Sequence, residues 1–561
     1  MSDKLYDDID ISMTTLERFD DLERRRQTFE VEAKEVMKYV FPRRSIWEDT
    51  NGEFRRVGET LYDGTAVQAN AILANGLMGH LVTEGNPWFK LGLPWIEAMD
   101  LPGVGQWLDI VERVLYDDFH RSNWYEQCQE AFLDLGALGN ACIYSEEGAD
   151  GAAWYLTIHP FEVFFDVNER DEIDTVYRRF HLTVRQLIQK FGWGSVHEKV
   201  VNAARDKNLG QRIEVVHACE PRTLIQPDNP SAKNKKWKSA YWDRTNEHLM
   251  NESGYDRFPF NAVRWATNSG ETYGRGPGSD AFVAIWRANL IGKDVLTASQ
   301  KALFPPANVP ESMRNRFSDN PKARNYFRDP DQRAEYMDTK MVYPIALDRE
   351  KDVREIIKEA FMVDMFLMLN SMDRQKSRTA TEVLEMQSEK AAILGTAVGR
   401  VASELLDPTI DLAFYRARKA GRIPPPPIAL LQWMAMNNAG AGHLKVEYIG
   451  PLAQALKRFH VTQGITQGLN AVLPYAAVWP DIPDNFDKDQ IARIVSEAYG
   501  MPARVIIDPK KVQAMRQAKM QAAQQAAQMQ QQMAGADAYQ KMVKAPEAGS
   551  PLEAAVEKAK G

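Results

Sequence analysis

Gly274-Arg275-Gly276-Pro277-Gly278-Ser279-Asp280 opens the stretch on which the fold turns, and Pro424-Pro425-Pro426-Pro427 closes it. Between them the sequence predicts a long helix, a proline-rich polar insertion, a second helix and a third, very long one. Ser279 or Asp280 is the expected cap of the first helix, because their side-chain oxygens accept from the unpaired N–H groups of a first turn. Beyond the cap, Phe282, Val283, Ile285, Trp286, Leu290, Ile291, Val295 and Leu296 do not fit one narrow stripe. A helix apolar on most faces has to be buried on most faces. One small chain would struggle to do that, whereas neighbouring copies packed around the helix could.

The insertion runs from Pro305 to Asp348, where Pro305, Pro306, Pro310, Pro321, Pro330 and Pro344 fix φ and remove donors. Met341-Val342-Tyr343 reads as a short β-type run. The second helix is expected to begin near Lys351, with Val353, Ile356, Ile357 and Ala360 at helical spacing. Phe361 to Leu369 is apolar all round except for Asp364. That is far short of the roughly 20 residues a membrane span requires, so it predicts a protein interface.

A polar loop, Ser371 to Arg378, carries Arg374, Lys376 and Arg378 within five residues. Thr379-Ala380-Thr381-Glu382 then fits a capping box, in which Thr379 and Glu382 satisfy each other's backbone N–H groups. Val383, Leu384, Leu394, Val398, Val401, Leu405 and Leu406 continue the helix, with Gly395 and Gly399 as close-packing or bending points. Pro408 should kink or break it. Gly421 suits a C-cap, and the proline run stops any continuation. About 40 helical residues at 1.5 Å each give roughly 60 Å, long for a globular domain.

Around this stretch the chain is mixed. Thr15 to Val40 reads as a charged amphipathic helix whose Arg24-Arg25-Arg26 cluster, offset by Glu17, Asp20, Asp21 and Glu23, forms a solvated face. Ala66 to Leu81 and Val104 to His120 are further helices. From Ala141 the pattern turns to strands, at 154–158, 163–165, 175–177, 212–216 and 239–242, rich in β-branched and aromatic residues. After the prolines, 430–436, 456–473 and 488–499 read as helices and 444–449 as a strand. Gln513 to Met533 is rich in Gln, Ala and Met with no strong apolar stripe; it forms a helical barrel between copies or stays disordered. The fold class is therefore α+β, mostly α in the second half.

The chain has 561 residues, 44% hydrophobic and 26% charged, within the range of folded soluble proteins, and a net charge of −8. That acidic balance argues against a protein that grips nucleic acid tightly, which needs a basic surface. Cys128, Cys142 and Cys219 are too few and too scattered for a disulfide framework or a metal finger. The N-terminus lacks the basic and apolar regions of a signal peptide, so assembly in the host cytoplasm is expected. No G-x-x-x-x-G-K-[ST] is present, nor an H-E-x-x-H. Asp166 to Asp171 lacks the central Gly and terminal Glu of a calcium loop and reads as an acidic turn. No catalytic residues, metal or cofactor are expected.

This order of elements resembles the portal (head-to-tail connector) proteins of short-tailed, podovirus-type bacteriophages. Local stretches strengthen the likeness: Leu61-Tyr62-Asp63-Gly64-Thr65-Ala66, Pro87-Trp88-Phe89-Lys90-Leu91, Gly136-Ala137-Leu138-Gly139-Asn140-Ala141, Tyr273-Gly274-Arg275-Gly276-Pro277, Arg378-Thr379-Ala380-Thr381-Glu382-Val383 and Gly450-Pro451-Leu452-Ala453-Gln454-Ala455. They are spread from about residue 15 to 515, and their order and spacing carry the resemblance.

The resemblance implies a non-enzymatic homo-oligomeric ring, usually of twelve copies, at one capsid vertex of the virion. Double-stranded DNA would pass through its channel in packaging and ejection. Residues 1–273 would form an α+β wing, 274–303 the first stem helix, 304–350 the clip, 351–370 the second stem helix, 371–427 the tunnel loop and kinked tunnel helix, and 428–510 the crown. Residues 511–561 would be a barrel or a tail. Phe282, Ile285, Trp286, Ile356, Phe361 and Phe366 would pack the stem. Arg374, Lys376 and Arg378 would meet DNA phosphates, unless they pair with Asp373 and Glu382. The implied partners are further copies, the terminase packaging motor, a tail adaptor, and capsid and scaffolding proteins, without stable membrane insertion. An alternative is an internal virion or ejection protein acting on membranes, motivated by the Gln/Ala/Met tail and the apolar helix at 361–369.

Overall fold

The computed structural model describes residues 15–45, 60–99, 101–148, 153–222, most of 225–371, 395–437, 444–449 and shorter pieces between 465 and 525. The chain divides into two compact units, Met1–Gln463 and Gly464–Gly561.

The first unit opens with helix α1, Thr15–Val40, with the boundaries its amphipathic pattern predicts. Ala33, Val36, Met37 and Val40 recur at helical spacing and enter the main core, while Phe19 and Leu22 join a smaller cluster with Phe164 and Tyr177. The expected solvated arginine cluster needs a correction. Arg26 is fully buried, donating to the carbonyls of Phe161 at 3.2 Å and Pro160 at 2.7 Å with its guanidinium over the Phe164 ring. Spacing put it in a charged run; the α1 groove over the sheet claims it, because two carbonyls and an aromatic face replace its water.

Helices α2 (Thr65–Leu81), α3 (Ile96–Met99), α4 (Val104–Arg121) and α5 (Trp124–Leu138) build the helical layer, with strand β1 (Phe89–Gly92) between α2 and α3. Two antiparallel sheets follow. One has the order β3-β2-β9, from β2 (Asn140–Glu147), β3 (Ala153–Thr157) and β9 (Phe260–Arg264). The other has the order β4-β5-β6-β7-β8, from β4 (Val163–Val167), β5 (Ile173–Thr183), β6 (Arg212–Pro221), β7 (Trp237–Asp243) and β8 (His248–Tyr255). Helices α6 (Val184–Phe191) and α7 (Glu198–Arg205) sit between β5 and β6, and a Thr183–Gln186 capping box starts α6. The outer edge of β3 is occupied by α5 side chains: Asn123 bonds both the N–H and C=O of Tyr155, and Gln127 accepts from Thr157 N. Amides thus stand in for a neighbouring strand and close an edge that would otherwise invite pairing. The acidic turn between β4 and β5 faces Arg264, which donates to Asp171 O at 2.6 Å.

The glycine run is a backbone-to-backbone joint. Gly139, at φ +77, ends α5, and Gly274 and Gly276 press onto its main chain while Gly278 presses onto Ala137. A Cβ at Gly278 would stand 2.3 Å from Ala137 O, and one at Gly276 2.5 Å from Gly139 N. Asn140 locks the contact, accepting from Gly274 N at 2.7 Å and donating to Gly274 O at 2.8 Å.

Beyond this joint the helices differ from expectation in detail. Short α8 (Pro277–Asp280) is joined through Ala281 to α9 (Phe282–Leu303), and neither start carries a side-chain cap. Ser279 and Asp280 lie inside the first turn because Pro277 already starts the helix. The insertion holds a two-stranded pair, β10 (Ala307–Asn308) with β11 (Glu335–Tyr336). Its end comes early: α10 spans Tyr343–Ala360, so Tyr343 is helical rather than β-type. Pro344 falls in the first turn, where a missing N–H costs nothing. The second helix is also interrupted. Met362 takes φ +55, and a separate α11 covers Val363–Ser371. That break turns Phe361, Val363, Met365 and Phe366 into the chain's own core, with only Leu367 exposed. The apolar run is therefore core, not an interface, and the membrane-acting alternative loses that motive. Among the described residues no helix is long and apolar enough to cross a membrane.

Residues 395–400 are helical and lead into a π-helical stretch, Val401–Leu406, then α12, Asp407–Lys419. Pro408 occupies the first turn of α12, and the backbone stays in the right-handed helical region through Leu406 and Asp407. A Cβ on Gly395 or Gly399 would meet nothing within 4 Å, so neither is a close-packing point within the chain. Gly421, at φ +71, terminates α12 as predicted. The prolines dock on α4, whose Trp107 donates to Pro424 O at 2.9 Å. Then come α13 (Ile428–Met436) and β12 (Lys445–Tyr448), which pairs antiparallel with β1.

The β1 strand is held on its other side by α4. Tyr116 Oη accepts from Trp88 N and Phe89 N, and Glu112 accepts from Leu91 N at 2.7 Å. Burial pushes the Glu112 carboxyl up to about 7, with Asp109 adding to the rise and Leu91 N–H opposing it. A carboxyl raised in the fold binds more protons folded than unfolded, so its contribution is present at low pH and lost as pH climbs toward 7. Glu112→Gln keeps an acceptor for Leu91 and removes the titration. The variant is expected to be more stable than the parent at pH 8 by on the order of 2 kcal/mol, and equal to it near pH 4, in melts across that range.

The second unit contains α14, Lys488–Ala498, and a helical segment over 514–525. Arg516 grips Asp489 with two bonds, of 2.7 and 2.6 Å. The rest of the predicted 456–473 helix, apart from 465 and 468–472, and everything past 525 lie outside the described residues.

Candidate assembly site

The α9–α10 pair leaves the body and returns to it, and its exposed side decides what the chain can do. Ile285, Ala288 and Asn289 form the buried face of α9. Val283, Trp286 and Leu290, at spacings of three and four, form a stripe on the opposite side and are 60%, 48% and 42% exposed. Further out Leu296, Leu303 and Phe304 are uncovered as well. On α10, Ile357 is buried while Ile356 is exposed. Of the residues expected to pack the stem, Ile285, Phe361 and Phe366 lie in the core of this chain and Phe282 lies half-buried against it; Trp286 and Ile356 face solvent. Apolar surface of this extent on a helical rod marks a site of contact with another protein.

The base of the pair is clamped by groups that sequence periodicity does not single out. Asn289 accepts from Tyr62 N at 2.7 Å and donates to Thr60 O at 3.1 Å. Arg354 on α10 donates to Asp63 at 2.8 Å and also pairs with Glu350. Burial alone would raise the Asp63 carboxyl, but bonds from Thr65 and the Arg354 charge hold it below its ordinary value. The signal for Asn289 was present: a lone amide beside Ala288 on an apolar face, followed by Gly292, which packs on Tyr62 O.

Behind the rods, Arg264 ties β9 to the π-helical stretch. Its main-chain N–H and guanidinium both reach Glu404, at 2.8 and 3.1 Å, and Thr409 Oγ1 donates to Leu405 O at 2.6 Å while accepting from Asn261. The residues expected to meet DNA, Arg374, Lys376 and Arg378, and the capping pair Thr379 and Glu382, lie outside the described residues. Among the described residues no group of three or more ligating side chains is placed to hold a metal ion.

A family model described as "Bacteriophage head to tail connecting protein" matches residues 13–507, most of the chain and both ends of the rod pair. The chain belongs to that family. Among its relatives, the portal protein of Salmonella phage epsilon15 is 29% identical over 517 residues, covering 90% of each chain. The probable portal protein of Bordetella phage BPP-1 is 30% identical over 543 residues, covering 94% of each. A connector joins larger assemblies, so exposed apolar rods are consistent with the family's role.

Proposed function

We propose that this connector, in its role as a phage portal protein, closes into a ring at one capsid vertex, with DNA passing along its axis in packaging and ejection. The observation that carries the reading is the two-sided α9 helix. Ile285 and Ala288 bury one face in their own chain, while Val283, Trp286 and Leu290 leave an apolar stripe in water. A second copy offers the most direct way to cover it, and a contact between two different faces of identical copies makes a closed ring when the rotation closes. By the family resemblance the ring would hold about twelve copies, the 304–350 insertion would meet the packaging motor and later the tail adaptor, and the wing would face capsid and scaffolding proteins.

The channel assignment rests on Arg374, Lys376 and Arg378, three cations on one polar stretch in an otherwise acidic chain. Cations set against phosphates give contacts that are independent of sequence and weakened by salt. Weak repeated contacts brake DNA without arresting it. Lys376→Glu is expected to leave rings intact while cutting the yield of filled heads severalfold. Packaging in vitro and microscopy of the particles read both quantities. Normal filling and retention in the variant would remove this segment from the channel.

A further inference from the structure

We propose that the ring contact is made by the outward face of α9 in one copy docking on the outward face of α10 in the next, through apolar contact flanked by charge pairs of opposite sign. The proposal rests on the ring reading above and names the surfaces that make it.

Asp63 supplies the height scale. Its N–H meets Asn289 of α9 and its carboxylate meets Arg354 of α10, so those two residues stand at one level of the rod pair. The helices run in opposite directions, each rising 1.5 Å per residue, so two steps back from Asn289 match two steps forward from Arg354. A rotation about an axis along the rods preserves height. Each level of α9 therefore meets the same level of α10 in the adjacent copy.

The residues that fall level complement one another. Trp286 and Ile356, both about half exposed, come together. Arg287 falls level with the turn holding Glu355 and Glu359, and Lys293 with the turn holding Asp352. Asp294, the acidic residue on this part of α9, falls level with Arg349, a basic residue among the acids of α10. Asp348, Asp352, Glu355 and Glu359 recur at spacings of four, three and four, on the side of α10 turned away from buried Ile357. All these charged side chains are exposed, and among the described residues none of them forms an ion pair within the chain. Acidic groups lined along one rod lose stability by mutual repulsion, whereas a basic neighbour at the right height offsets that cost and fixes the direction of the contact.

The test is assembly of the full-length chain by mass photometry, at several concentrations and salt levels. Glu355→Lys with Glu359→Lys is expected to raise the concentration needed for half-assembly by ~100-fold, because like charges then face each other in every contact. Adding Arg287→Glu to that double variant is expected to recover most of the loss. Double-variant rings that form as readily as the parent's would overturn the α9–α10 contact and leave the ring standing. Loss without recovery by Arg287→Glu would overturn the pairing. A parent chain that stays monomeric at every concentration would overturn the ring itself.

Discussion

Gly139→Ala is expected to cost the fold at least ~3 kcal/mol, combining a side chain forced into left-handed backbone with overpacking against fixed main chain. The added methyl would stand 2.2 Å from the Arg275 carbonyl carbon and 2.3 Å from Gly276 N, neither of which is the yielding end of a side chain. The joint it wedges apart links α5, the start of β2 and the segment that launches α9, so the damage should spread to the rod pair and to assembly. Gly79→Ala is the matched control. Gly79 lies inside α2 with nothing within 4 Å of its would-be methyl, and helix propensity alone should raise stability there by roughly 0.5–1 kcal/mol. Thermal melts of the two variants should therefore move in opposite directions, and equal melts would show that the chains do not meet at Gly139.

Phe366→Ala should be nearly as damaging, costing about 3–5 kcal/mol for an aromatic removed from a core. The Phe366 ring fills the space over Gly76, where a Cβ would sit 2.3 Å from the ring, and stacks on His80. The loss should be independent of protein concentration, because the ring packs within its own chain. Leu367→Ala, one residue on and half exposed, should change monomer stability by only ~0.5 kcal/mol. A Phe366→Ala chain that melts normally at low concentration, but fails to assemble, would return α11 to the role of an interface.

Much of this architecture could be read along the chain, because local pattern decides helices and strands. The Thr15–Val40 helix, the strands around 154–158, 163–165 and 212–216, and the Gly421 terminator all depend on residues a few positions apart. What was not legible depends on partners far away in sequence. Arg26 looks solvated until Phe161 and Phe164 close over it. The glycines at 274, 276 and 278 read as a helix-starting turn, and only the backbone at 137–139 explains why all three lack side chains. Met362 carries no turn signal; its positive φ follows from seating Phe361 and Phe366 in one core. The assembly site was half legible. The sequence marked α9 as apolar on too many faces, while the separation of buried Ile285 from exposed Trp286, and the Asn289 clamp, needed the fold.

The central claim is that copies of this chain surround a hollow axis wide enough for duplex DNA. Electron microscopy of the purified full-length protein tests it most directly. The account predicts end-on views of closed rings with an open centre, and side views in which the α9–α10 rods project together from a wider body. Solitary particles with no central opening, at every concentration and salt level, would contradict it.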